Sequence, residues 1–117
     1  IYGIRTAESF ARVLGQATAG DDRPDAILVT GDIGDDLSEV AYRRFRDTLA
    51  PLGVPVYCLP GNHDDPSTMS RLLGAPGFQF GGAANLGRWR LLLLDSHVPD
   101  EPFGRLGPAA LEQLARE

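Results

Sequence analysis

Lysine is absent from this chain of 117 residues: its 11 basic side chains are all arginine. They stand against 16 acids, for a net charge of −5. No basic stripe and no basic-aromatic alternation is present, which argues against a nucleic-acid-binding surface. Cysteine is nearly absent. Cys58 alone cannot close an internal disulfide, so nothing points to an oxidising compartment, and the cytoplasm is the expected location. Long apolar runs are missing too. The longest, Trp89 to Leu94, is broken by Arg90 and falls far short of the ~20 residues that span a bilayer. The first residues, Ile1-Tyr2-Gly3-Ile4-Arg5, lack the basic start and apolar stretch of a secretion signal. There is no internal repeat and no low-complexity segment. With 43% apolar and 23% charged residues, the balance is that of a globular domain with a core; the length suits one domain and not two.

What is present alternates between two periods. Phe10, Val13, Leu14 and Ala17 share one face of a helix over Thr6–Ala19, which Gly20-Asp21-Asp22-Arg23-Pro24 stops. Ala26–Thr30 is a short unbroken apolar run, the pattern of a strand buried on both faces of a parallel sheet. Ser38 is placed to cap a second helix whose stripe is Tyr42, Phe45, Leu49 and Leu52. Val54–Leu59 is a second strand, Pro66–Leu73 a short helix, Phe78–Phe80 an edge strand and Arg90–Asp95 a third strong strand. The Gly-rich stretch 81–87 lacks the Lys-Ser/Thr of a phosphate-binding loop and is expected to be a turn. Pro108 sits at the first position of a last helix carrying Leu111, Leu114 and Ala115. Cys58 is expected inside its strand as a small apolar residue. Such alternation predicts α/β architecture, a parallel or mixed sheet covered by helices. The chain enters a helix almost at once and stops within one, so residues 1–117 are expected to form one domain that is incomplete at both ends.

Eleven of the 16 acids are Asp, unevenly spread, and five of them fall in two loops. Thr30-Gly31-Asp32-Ile33-Gly34-Asp35-Asp36 follows the first strand, and Pro60-Gly61-Asn62-His63-Asp64-Asp65 follows the second. In open α/β sheets ligands bind beyond the carboxyl ends of strands, and both loops leave at that edge. Asp32, Asp35, Asp36, Asn62, His63, Asp64 and Asp65 are thereby expected to approach one another. Carboxylate, amide and imidazole donors suit Mn, Fe or Zn better than Ca. Polar turns would also use Gly-Asp and Gly-Asn pairs, but two such loops at one sheet edge favour a site. Asp95-Ser96-His97 is no hydrolase triad, because neighbours in an extended segment alternate faces.

Gly31-Asp32 followed by Gly61-Asn62-His63-Asp64 resembles the two central motifs of the calcineurin-like metallophosphoesterases. Tyr2-Gly3, Arg23-Pro24-Asp25, the segment Ala50 to Tyr57, Leu94-Asp95-Ser96-His97-Val98-Pro99 and Gly104-Arg105-Leu106 look like the class III cyclic-nucleotide phosphodiesterase branch. The resemblance implies a four-layer α/β/β/α sandwich, here partial, with two divalent metal ions (Mn, Fe or Zn) at the strand ends. It implies that Asp32 bridges the two ions, that Asn62 ligates the second, and that His63 contacts the phosphate and protonates the leaving oxygen. Asp35 is placed like the acid that orients that histidine, and Asn62 and His63 together would bind substrate. The expected reaction is hydrolysis of phosphate esters, phosphodiesters such as 3′,5′-cyclic nucleotides above all. The partner would be a small-molecule phosphate ester, with no nucleic acid and no membrane; homodimerisation stays open.

The chain departs from the family pattern at both ends. The Asp-x-His motif that opens the family and the later His and Gly-His-x-His motifs are not in it. With Asp32 and Asn62 alone, residues 1–117 are expected to bind metal weakly and to be inactive by themselves. Leu37 stands where many relatives carry Gly, so the first loop is expected to close differently. His97 is expected to be a solvated loop histidine, not a ligand. Two alternatives stay open: a non-catalytic relative serving as a binding or scaffold module, and a receiver-type α/β domain using its Asp cluster for Mg²⁺. A receiver needs a Lys at a later strand end, and this chain has none.

Overall fold

The computed structural model describes residues 3, 5–21 and 23–117. Ile1, Tyr2, Ile4 and Asp22 lie outside the described residues, and with them the Tyr2 of the family-like pattern and the Asp22 of the first helix stop. The elements run α1 (Thr6–Ala17), β1 (Ile27–Val29), α2 (Glu39–Leu49), a 3-10 turn (Ala50–Leu52), β2 (Val56–Cys58), α3 (Pro66–Leu73), β3 (Phe78–Phe80), β4 (Gly82–Leu86), β5 (Trp89–Leu93) and α4 (Pro108–Ala115). None of the described helices is long and apolar enough to cross a membrane.

Strands β1, β2 and β3 form a parallel sheet in that order, with Val29 opposite Cys58 and Cys58 opposite Phe80. Parallel neighbours need a crossover between them; α2 supplies the first and α3 the second. Because strand side chains alternate, Val56 and Cys58 share the face under these helices. There they join Tyr42, Leu49, Met69, Leu72 and Leu73 in the core, with Ile27 and Val29 packed against it. Burial pushes the Cys58 thiol up to about 12, the charge of Asp64 adding to it. Phe10 of α1 stacks on Phe45 of α2 with ring centres 5.8 Å apart, bringing the first helix onto the second. Gly53, left-handed at φ 68°, ends the 3-10 turn and lets the chain turn into β2.

Four expectations change. The strand over Ala26–Thr30 is not buried on both faces: Leu28, alternating away from the core, is 57% exposed. The run read as buried because both faces are apolar, yet one of them has no cover at Leu28. The stretch 81–87 is not simply a turn. Gly82–Leu86 is a strand, antiparallel to β5 with Gly82 opposite Leu93 and Leu86 opposite Trp89. Gly, Ala and Asn have little strand preference of their own, so the pairing comes from the Leu-rich partner. The third strong strand therefore belongs to a second, two-stranded sheet and spans Trp89–Leu93. Finally, Ser38 occupies the N-cap position of α2 but its hydroxyl makes no cap bond; its N–H instead donates to Asp36 Oδ1 at 3.0 Å.

Candidate active site

At the carboxyl edge of the parallel sheet, β1 runs into the Gly31-Asp32 loop and β2 into the Gly61-Asn62-His63-Asp64 loop. The two loops touch through backbone. A Cβ on Gly31 would lie 2.0 Å from the Gly61 nitrogen, and one on Gly61 would lie 2.0 Å from Asp32 Oδ1. Gly31 also takes φ 107°, closed to residues with a side chain. Glycine is thus required at both positions by the approach of one loop to the other. Asp32 itself is left-handed at φ 57°, a conformation that Asp tolerates better than most residues.

One side chain ties the loops together. Asp64 is 3% exposed, the one buried charged residue among those described. Its Oδ2 accepts the N–H of Asp32 at 2.6 Å and of Gly61 at 2.9 Å. Its Oδ1 accepts the N–H of Ile33 at 3.0 Å and of Gly34 at 3.1 Å, and the hydroxyl of Tyr42 at 3.2 Å. The Tyr42 oxygen in turn accepts the Asp65 N–H at 2.9 Å. A carboxylate surrounded by donors is stable in a low-dielectric place where an unpaired one would not be. The Tyr42 phenol is pushed up to about 12, chiefly by burial, with the nearby Asp64 charge adding to it.

The predicted cluster therefore divides. Asp64 faces inward and builds the loops. Asp65 caps α3, accepting from the N–H groups of Ser67 and Thr68; the Thr68 hydroxyl first, then that of Ser67, hold its carboxyl below the usual range. Asp36 closes the turn before α2, and its bonds to Ser38 hold it low as well. Asp32, Asp35, Asn62 and His63 remain together at the exposed mouth. The His63 N–H donates to Asp32 Oδ1 at 3.2 Å, and His63 Nδ1 lies 3.5 Å from Asp35 Oδ1. Asn62 is exposed beside them.

His97 is not a solvated loop residue. It is half-buried, and its Nδ1 lies 3.0 Å from the Gly61 carbonyl oxygen. The chain after β5 folds over the edge of the second loop, a long-range placement with no local signature. The roles of Asp64 and His97 were both hidden in the sequence. The acid was visible as one more Asp in the cluster, but its donors are three residues away for Gly61 and about thirty for the first loop.

Asp32 and Asn62 fit a share of a divalent-ion site, being exposed oxygen donors on adjacent loops. They do not make a whole one. Among the described residues no three His, Cys, Asp or Glu converge to hold an ion, and metal sites of this ligand chemistry generally use at least three protein ligands. An open groove of about 610 Å³ runs between α1, α2 and β1. It is lined mainly by apolar residues such as Phe10, Leu14 and Phe45 and meets the candidate site only at Gly31 and Asp32.

A parallel sheet with a Gly-Asp loop laid against a Gly-Asn-His-Asp loop at its carboxyl edge is the arrangement of a metallophosphoesterase. The calcineurin-like phosphoesterase family matches residues 4–109, and the chain belongs to that family. It is 39% identical, over 97% of its length, to a 3′,5′-cyclic adenosine monophosphate phosphodiesterase CpdA of Vibrio vulnificus (strain CMCP6), covering 42% of that protein. It is 36% identical to the CpdA phosphodiesterase of Escherichia coli (strain K12), over all of its own length and 43% of that protein. A 3′,5′-cyclic-nucleotide phosphodiesterase of Nostoc sp. (strain PCC 7120 / SAG 25.82 / UTEX 2576) is 32% identical over the whole chain and 44% of its own length. The chain thus spans somewhat less than half the length of the curated relatives it matches.

Proposed function

We propose that the chain supplies the central part of a metal-dependent phosphodiesterase domain that hydrolyses 3′,5′-cyclic nucleotides, cyclic AMP in particular. The observation that carries this is the meeting of Asp32, Asp35, Asn62 and His63 at the mouth of two interlocked loops. The named activity of relatives that align along nearly the whole chain supports the substrate class.

Asp32 and Asn62 would hold two divalent ions, Mn, Fe or Zn, with further ligands from outside this chain. Such ions supply Lewis-acid polarisation of the phosphoryl group and an activated water. The residues of the chain do the rest. Asn62 and His63 take the non-bridging phosphate oxygens, positioning the ester for in-line attack. His63, steadied by Asp35, gives a proton to the departing ribose oxygen. Asp64, satisfied entirely within the protein, takes no part in the chemistry and keeps the loops in register. The same proposal takes the cytoplasm as the place of reaction.

The test is an assay of the full-length protein with Mn²⁺ on cyclic AMP and on bis(4-nitrophenyl) phosphate, with a chelator control. Hydrolysis of both, lost with the chelator, is expected. His63→Ala should lower kcat by ~10²–10⁴-fold on cyclic AMP and much less on the nitrophenyl ester, whose leaving group needs no proton. Equal losses on both substrates would remove the proton-donor role.

A further inference from the structure

We infer that His97 is a positioning residue: its Nδ1–H holds the Gly61 carbonyl and so fixes the direction in which Asn62 and His63 are presented. The claim rests on the proposed role of that loop in phosphodiester hydrolysis.

The contact is 3.0 Å long and made by a half-buried ring. A carbonyl can only accept, so Nδ1 must carry the proton. The Gly61 peptide nitrogen is already taken, its N–H donating to Asp64 at 2.9 Å. Its carbonyl also receives the Asp64 N–H, at 3.3 Å. Gly61 is therefore held at its N–H by the Asp64 carboxylate and at its carbonyl by the Asp64 N–H and His97 together. The next two residues are the two that face the ester. Glycine is the residue least able to hold its own direction, and a Cβ is excluded there by Asp32. Orientation has to come from partners of the peptide group.

The ring is also firmly mounted. The His97 N–H donates to Asp95 Oδ1 at 2.8 Å, and the Arg105 N–H donates to the Ser96 carbonyl at 2.8 Å. Gly104 packs so tightly on Ser96 that a Cβ would lie 2.8 Å from its Oγ. Among the described residues, no other side chain between 94 and 107 hydrogen-bonds to the loop of residues 60–65. His97 is thus the clasp by which the segment after β5 bears on the active loop.

The experiment compares His97→Phe and His97→Asn in the full-length protein. Asn carries Nδ2 as many bonds from the backbone as His carries Nδ1, so it keeps the donor; Phe keeps a ring and loses it. His97→Phe should lower kcat on cyclic AMP about tenfold with little change in KM, and His97→Asn should return it to within about threefold of the parent. Nitrogen NMR of histidine-labelled parent should find the neutral His97 ring protonated at Nδ1. Full kcat in His97→Phe, no recovery in an equally stable His97→Asn, or a ring protonated only at Nε2 would each overturn the assignment. If His97→Phe fails to fold, recovery by His97→Asn and the parent's ring protonation decide the matter. A parent without turnover would sink the phosphodiesterase proposal instead. Amide exchange at Asn62 and His63, expected to quicken about tenfold in His97→Phe, then judges the positioning role separately, and unchanged exchange overturns it.

Discussion

Asp64 accepts four peptide N–H groups and one phenol; its own carboxyl and the bonds from Gly34 and Tyr42 are buried, the other three partly so. Removing the acceptor would leave buried donors unpaired at about 1–3 kcal/mol for the first of them and more in sum. Asp64→Ala should therefore cost about 3–5 kcal/mol in denaturant unfolding of the full-length protein; a loss under 1 kcal/mol would mean that water replaces the carboxylate. Asp64→Asn should also destabilise, because its amide NH₂ would face donors. Tyr42→Phe should cost about 1–2 kcal/mol at neutral pH, since Asp65 N–H loses its acceptor. It should change the alkaline behaviour as well. The phenol sits near 10.0 when exposed and is pushed up to about 12 here, so the folded state keeps a proton that the unfolded chain gives up. That stabilisation is whole below pH 10 and disappears as pH rises through 12. Tyr42→Phe should flatten part of the fall in Tm across this window. Cys58, raised to the same level by burial, leaves the remainder. An unchanged alkaline slope would show that Tyr42 ionises as readily in the folded chain as in the unfolded one.

At the level of elements, the loop before α2 carries a strained residue. Leu37 is left-handed at φ 57° and 57% exposed. A side chain in that region costs about 1–2 kcal/mol, and glycine's extra freedom in the unfolded chain offsets about 0.5–1. Leu37→Gly should thus be neutral or stabilising by up to about 1 kcal/mol, against the usual effect of removing a large apolar group. Thermal melts check it, and a loss beyond 1 kcal/mol would mean the Leu37 side chain packs after all. The same element-by-element view separates what could be read in advance. Pro66–Leu73 was legible to the residue because Pro and Gly punctuate both ends. The two loops were legible because their glycines and ligating side chains are contiguous. Strand β4 was not, because Gly82, Ala83, Ala84 and Asn85 carry no pattern until Leu91, Leu92 and Leu93 lie beside them. Asp64 and His97 could be seen as polar residues but not as braces, since their partners come from distant parts of the chain.

For the whole molecule the decisive quantity is how many ions the assembled site retains. On the proposed reading Asp32 would touch two ions and Asn62 one. In the full-length protein Asp32→Ala should lower metal content at both sites, and Asn62→Ala mainly at one. Elemental analysis giving equal single-ion losses would contradict this division of labour. The exposed Leu28 on the outer face of β1 belongs to the same scale. Coverage could not be read from residues 26–30, because a run that is apolar on both sides looks alike whether one face is covered or two.

The Asp64 tether also bears on how such a protein can change over generations. Two loops sewn to one carboxylate have no independent history: an insertion in either moves the peptide groups that the other depends on, and both are lost together. Change then falls to segments outside the two loops and the residues that brace them. The length of those segments can drift while the knot is inherited whole.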